Sequence, residues 1–128
     1  MINILLLDDN AHRITFFQNG LKAHKLTVCR HARAAIKALK HTSFDVVFLD
    51  HDLTNKAANP ADENCGSEVA RFIADYDIRC GCIILHTENA VGRESMESIL
   101  GESLSIPYSK LKKVGLPAIL KTITEPRA

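Results

Sequence analysis

The chain has 128 residues, 46% of them apolar and 24% charged, a balance that fits one globular domain over residues 1–128 and excludes a disordered chain. A domain of this length buries roughly two-thirds of its unfolded surface, so it needs no disulfide or metal staple to fold. The net charge of +1 gives no strong DNA-binding signal and no pull toward an anionic membrane, although Lys110, Lys112 and Lys113 make a local basic patch.

Residues 2–7 form a near-continuous apolar run of strand length, stopped by Asp8 and Asp9. The run is too short for a signal peptide or for a membrane span of about 20 residues, so a cytoplasmic protein without a membrane partner is expected. Phe17, Leu21 and His24 fit a first helix, with Asp9 or Asn10 available to cap it. Residues 26–29 make a second, weaker strand. Ala32, Ala35, Ile36 and Leu39 then recur at i, i+3, i+4 and i+7, one apolar stripe of a helix. A third strand over 46–49 is stopped by Asp50. The following stretch, 53–65, carries Asn55, Asn59, Pro60, Asp62, Glu63 and Asn64 and is long for a strand-to-helix loop. Because it starts beside an acidic strand end, a lid-like role is expected of it.

Gly66, Val69, Ala70 and Ile73 repeat the helical stripe. A fourth strand over 82–85 is stopped by His86. Met96, Ile99 and Leu100 give a shorter helix ended by Gly101. A brief fifth strand over 104–106 is ended by Pro107, and Pro117 suits the first turn of a last helix carrying Leu120 and Ile123. The four cysteines (Cys29, Cys65, Cys80 and Cys82) lack zinc or redox spacing and read as buried, reduced thiols.

Apolar runs that do not alternate imply a sheet covered on both faces, hence parallel strands with right-handed helical crossovers. The fold class is therefore α/β, a doubly wound five-stranded parallel sheet, and the expected strand order is the flavodoxin-like 2-1-3-4-5, which makes strands one and three neighbours. In such sheets ligands bind outside the carboxyl ends of the strands. The polar residues fall there: Asp8-Asp9, Asp50-His51-Asp52 and His86-Thr87-Glu88-Asn89. Carboxylates crowded on one rim require a cation or shared protons, and hard oxygen donors favour a magnesium-type ion. Taken singly, each Asp has a simpler reading as a helix cap, and each His as a satisfied structural residue.

The segments Leu6-Leu7-Asp8-Asp9, Asp45-Val46-Val47-Phe48-Leu49-Asp50 and the helix opened by Gly66 resemble the response-regulator receiver domain over nearly the whole chain. That resemblance implies that Asp8 and Asp9 hold magnesium, that Asp50 is the phospho-acceptor, and that the Asp52 backbone carbonyl completes the metal shell. Two positions depart from it. Ile106-Pro107 stands where receivers carry Lys-Pro, and His86 precedes Thr87 where receivers place Ser or Thr directly after the fourth strand. A sharper likeness covers both departures: Asp50-His51-Asp52-Leu53, Gly66-Ser67-Glu68-Val69 and the segment from His86 to Met96 are similar to the cyclic-phosphate-processing receiver family.

Phosphoester chemistry gives these residues roles. His51 and His86 bring imidazoles, the side-chain type suited to proton transfer, and with Asp50 are the candidate catalytic groups. Thr87, Asn89 and Arg93 are the candidate phosphate-binding set; Arg93 has the plainer alternative of pairing with Glu97 at i+4. Asp8, Asp9, Asp50 and Asp52 are the candidate ligands of a divalent metal, Mg2+ or Mn2+. The missing lysine and the added histidines favour metal-dependent binding or processing of a phosphate ester, such as a cyclic nucleotide phosphate or an RNA end. The alternative is a receiver phosphorylated at Asp50 by a histidine kinase and acting through a separate output protein. A degenerate receiver that serves only as an interaction module is the third reading.

Overall fold

Strands that are apolar on both sides must be covered on both sides, and the sheet of this protein is. The computed structural model describes residues 1–54, 59 and 61–124. In chain order its elements are β1 (Asn3–Leu7), α1 (Ala11–Gly20), β2 (Lys25–Cys29), α2 (Ala32–His41), β3 (Val46–Leu49), α3 (Gly66–Asp75), β4 (Cys82–Leu85), α4 (Ala90–Leu100), β5 (Leu104–Ser105), α5 (Tyr108–Val114) and α6 (Leu116–Thr124). The five strands pair in parallel in the order β2-β1-β3-β4-β5.

The period of two along each strand divides the apolar residues between two cores. Leu5, Leu7, Val47, Leu49 and Leu85 face α2, α3 and α4, where they meet Ala35, Leu39, Val69, Ile73 and Met96. Ile4, Leu6, Val46, Phe48 and Ile84 face the opposite layer and meet Phe17 of α1, Leu111 of α5 and Ile119 of α6. Each β3 residue is buried, which is why that strand reads as an unbroken apolar run.

Several boundaries differ from the sequence expectation. α1 stops at Gly20, and His24 lies beyond it, its Nδ1 accepting the Ile2 N–H at 3.3 Å. β5 is two residues long; Ile106 still donates to the Leu85 carbonyl, but Pro107 has no N–H with which to continue. Two helices stand where one was expected at the end of the chain, because Gly115, at φ 92°, breaks the path between α5 and α6. α5 escaped notice because Leu111 is its single buried residue and lysines fill its last turn.

In the loop after β3, Leu53 is buried, an antiparallel bridge joins Asp52 to Cys65, and Asn64 Oδ1 accepts the Ala32 N–H at 2.9 Å. The lid-like expectation falls largely on 55–58 and 60, outside the described residues. The four cysteines form no disulfide; Cys29 and Cys65 are buried as expected, while Cys80 and Cys82 are only half-buried. Among the described residues no helix is long and apolar enough to cross a membrane.

Gly66 is where α3 comes closest to the end of β3. A Cβ there would run into the Asp50 carbonyl oxygen, the Met96 sulfur and the His51 Cα, two of them backbone atoms that cannot yield cheaply. Gly66→Ala is expected to destabilise the fold by roughly 1–3 kcal/mol or more. Urea unfolding checks this; an unchanged midpoint would show that β3 and α3 are not held as tightly as described.

Candidate functional site

Parallel register builds the site. Leu7 pairs with Leu49 and Leu49 with Leu85, so the next residues, Asp8, Asp50 and His86, stand in one row across three neighbouring strands. The ladder runs one residue past the strands to hold them: the Asp50 N–H donates to the Leu7 carbonyl and the His86 N–H to the Leu49 carbonyl. By alternation all three side chains point to the α1 face, above Leu6, Phe48 and Ile84. They are buried, with residue exposures of 0%, 2% and 1%.

Two adjacent buried carboxylates need a counter-charge, and α1 provides it. The Asn10 side chain caps this helix by accepting the Arg13 N–H at 3.1 Å, which fixes Arg13 in the first turn directly over the row. Arg13 Nε donates to Asp8 Oδ2 at 2.9 Å, and Nη2 donates to Asp8 Oδ1 at 3.2 Å and to Asp50 Oδ2 at 2.9 Å. The guanidinium also lies 5.7 Å from the centre of the Tyr108 ring, so the aromatic face backs the charge. His86 Nε2 lies 2.9 Å from Asp8 Oδ2 and, facing an ionised carboxylate, acts as the donor. The Asn10 N–H donates to Asp8 Oδ1 at 2.9 Å. The other His86 nitrogen, Nδ1, is buried with no hydrogen-bond partner among the described residues, and the His86 and Phe17 ring centres lie 5.1 Å apart.

These surroundings push the two carboxylates apart in acidity. Burial works to raise Asp8, but the hydrogen bond and charge of His86, then the Asn10 N–H and Arg13, outweigh it and hold Asp8 below its ordinary value. Burial raises Asp50 to about 6, with repulsion from Asp8 adding to it and attraction to His86 and Arg13 opposing it. Burial also works against the charge on Arg13, and attraction to Asp50 and Asp8 overcomes this and raises it. Arg13 is therefore a permanent cation holding one firm carboxylate and one reluctant carboxylate.

Asp8, Asp50 and His86 each offer one ligand atom, and these atoms lie within 4.8 Å of one another. Two carboxylate oxygens fit Mg2+ or Mn2+, and the imidazole nitrogen, which ligates only without its proton, draws the set toward the transition-metal end of that range. Asp9 and Asp52, expected in the same shell, are not in this group. Asp9 is half-buried beside Arg13 and acts on it through charge.

The remaining expected residues sit elsewhere. His51 directly follows Asp50, so the period of two sends it through to the α3–α4 face. There it is fully buried, with Nδ1 3.1 Å from Asp52 Oδ1 and Nε2 3.0 Å from Ser67 Oγ, and Ser67 Oγ is 2.8 Å from Ser95 Oγ. Burial works to lower His51, while hydrogen bonds with Cys65 and Asp52 raise it; the same His51 contact lowers the Cys65 thiol against its own burial. Gly92 of α4 lies against the His51 ring, where any Cβ would collide. This buried network clamps β3, α3 and α4 together.

Thr87 Oγ1 accepts the Asn89 N–H at 3.0 Å. Asn89 caps α4, accepting the Gly92 N–H at 3.2 Å, and donates to Asp52 Oδ1 at 3.1 Å. Arg93 points along α4, its Nε 4.0 Å from Glu97 Oε1. Sequence reasoning missed Arg13 and Tyr108. The available signal was an arginine one helical turn after a strand-end Asp-Asp-Asn.

A family model described as "Cyclic-phosphate processing Receiver domain" matches residues 3–102. Among curated proteins none matches. Among solved structures, the non-phosphorylated HemR receiver domain of Leptospira biflexa is 21% identical, with a TM-score of 0.72, covering 100% of this chain and 98% of that one. The Mn(2+)-bound form of response regulator Rcp1 is 18% identical, with a TM-score of 0.69 and coverages of 95% and 93%. TrrA of Thermotoga maritima, solved in complex with Mg(2+)-BeF, is 20% identical, with a TM-score of 0.67 and coverages of 96% and 99%. The fold is the flavodoxin-like receiver fold.

The position of Asp50 has a consequence for stability with a definite sign. Its folded-state pKa lies near 6, above the ordinary 3.8, so its contribution is intact at acid pH and is lost as pH rises from about 4 through about 6. By neutral pH the loss is on the order of 2–3 kcal/mol. Asp8 carries the opposite sign, but it is present in both proteins of the comparison. With chelator present, Asp50→Asn should melt higher than the wild type at pH 7.5, and the gap should close toward pH 4. A gap that is constant with pH would show that Asp50 is not the strained carboxylate.

Proposed function

The chain belongs to the cyclic-phosphate processing receiver domain family, and from that premise we propose that it works as a receiver of response-regulator type, with Asp50 as the carboxylate that accepts a phosphoryl group. The observation that carries this reading is the placement of Asp50: it ends the central strand β3, is buried beside Asp8, and keeps its carboxylate facing Arg13 at 2.9 Å. An Asp50 oxygen attacks phosphorus on a phosphohistidine or acyl phosphate donor. The new P–O bond forms as the donor's P–N or P–O bond breaks, and the electron pair leaves with the donor group. Ionised Asp50 is the nucleophile, so the reaction gains as pH rises through about 6.

A divalent metal, Mg2+ or Mn2+, fits the donor set of Asp8, Asp50 and His86 and would supply positive charge against the phosphoryl oxygens. Asp9 and the Asp52 backbone carbonyl remain candidates to complete its shell, as the receiver likeness implies. The metal-bound response regulators among the structural neighbours support this choice of ion. The corresponding partners are a histidine kinase as donor and a separate output protein, in the cytoplasm.

A second reading, metal-dependent binding or processing of a phosphate ester such as a cyclic nucleotide phosphate or an RNA end, has one observation in its favour. His86 places a donor nitrogen 2.9 Å from Asp8 in the same row as Asp50, a group suited to protonating a leaving oxygen. In that reading Thr87, Asn89 and Arg93 are the phosphate-binding groups, and His51, on the opposite face of the sheet from the row, is the second proton-transfer group.

Incubation with acetyl phosphate and Mn2+ should add one phosphoryl group to the wild type by intact mass and none to Asp50→Asn. Turnover of 2′,3′-cyclic nucleotides or RNA ends under the same conditions, with no adduct at Asp50, would replace this reading by the second. An adduct that persists in Asp50→Asn would defeat it.

A further inference from the structure

We propose that Arg13 is the exchangeable cation of the site: it neutralises Asp8 and Asp50 when no metal is bound, gives way to a divalent ion, and then pairs with the phosphoryl group on Asp50. The proposal deepens the acceptor reading above and rests on it. Its starting point is a missing charge. The chain leaves β5 through Ile106-Pro107, and Ile106 packs into the α1-side core, so no ammonium group reaches the row from that strand. The cation that does reach the row comes from the opposite side, on the first turn of α1.

Arg13 and a divalent ion compete for the same atoms. The guanidinium engages Asp8 Oδ2 and Asp50 Oδ2, and Asp8 and Asp50 carry two of the three groups able to ligate a metal. Two cations sharing those oxygens would repel at close range, so metal binding must displace the arginine. The side chain is built to leave. It is long and 23% exposed, and it lies along the Tyr108 ring, whose face can hold a cation away from the carboxylates.

Phosphorylation then reverses the demand. An acyl phosphate turns one Asp50 oxygen into a bridging atom and cancels the carboxylate charge, while the phosphoryl group brings about two negative charges on three oxygens. A planar guanidinium matches phosphate oxygens in a bidentate fork, and Arg13 already reaches Asp50 with one nitrogen. Lys112 is the neighbouring cation, over the same Tyr108 ring at 5.7 Å, and Arg93 is engaged with Glu97.

The test compares wild type, Arg13→Gln and Arg13→Lys in two titrations, with circular dichroism confirming that each variant is folded. The first measures Mn2+ affinity by electron paramagnetic resonance. The second measures fluoroberyllate affinity at saturating Mg2+, which is diamagnetic, by fluorine NMR, because the chain has no tryptophan to report binding. Arg13→Gln should bind Mn2+ at least about tenfold more tightly and fluoroberyllate about 10- to 100-fold more weakly, the latter equivalent to roughly 1.4–2.8 kcal/mol. Arg13→Lys should fall between it and the wild type in both. Unchanged or weaker Mn2+ binding by Arg13→Gln would overturn the exchange, and unchanged fluoroberyllate binding would overturn the phosphoryl role. A wild type that binds Mn2+ but no fluoroberyllate would sink the acceptor reading of Asp50 and the phosphoryl role with it. Wild-type fluoroberyllate binding that weakens in Arg13→Gln, and less so in Arg13→Lys, supports both the acceptor reading and the phosphoryl role.

Discussion

Two carboxylates side by side at the buried ends of adjacent parallel strands are the constraint around which this site is arranged. Asp8 and Asp50 follow paired strand residues, so the sheet itself sets their closeness, and neither can relax without leaving the ladder. Like charges so placed must be offset or one of them neutralised. The molecule does both. Asp8 gathers the Asn10 N–H, the Arg13 fork and His86 and stays acidic, while Asp50, with fewer donors, is pushed to about 6. The difference between the two leaves Asp8 the firmly ionised carboxylate and Asp50 the one that carries its charge reluctantly.

The alternation of the sheet assigns neighbouring residues to separate tasks. Asp50 faces α1 and the charged row; His51, one residue on, faces α3 and α4 and is bonded within a buried polar network. A motif that looks like one acidic and imidazole cluster in the sequence is thus two sites back to back. The second keeps the first in place. Gly66 and Gly92 allow α3 and α4 to approach the Asp50 backbone and the His51 ring, and Asn89 and Asp52 tie the start of α4 to the end of β3. Met96 extends this clamp into the apolar core below.

The fold was legible because its signals were local: unbroken apolar runs, each ended by an acid or a histidine, separated by helical stripes. The strand order came from the likeness to flavodoxin-like sheets, and the runs placed Asp8, Asp50 and His86 at strand ends without separating them from Asp9, His51 and Asp52. The side chains on helices were harder to place, since a sequence shows which face is apolar but not which polar residue reaches across to a strand end. Arg13 was missed for that reason, although it sits one turn beyond Asp8-Asp9-Asn10. Arg93 drew attention through its motif, while the structure pairs it with Glu97. α5 was hidden by its lysines, and Tyr108, which backs Arg13, was hidden with it.

The strained acidity of Asp50 is the claim on which the rest of the account turns, and its own titration tests it most directly. In metal-free protein carrying carbon-13 at the aspartate carboxyls, the Asp50 signal should titrate near pH 6 while Asp8 titrates below its ordinary value. Added Mg2+ or Mn2+ should draw the Asp50 midpoint downward, because a bound cation favours the ionised form. An Asp50 that titrates near 3.8 and ignores the metal would contradict the account.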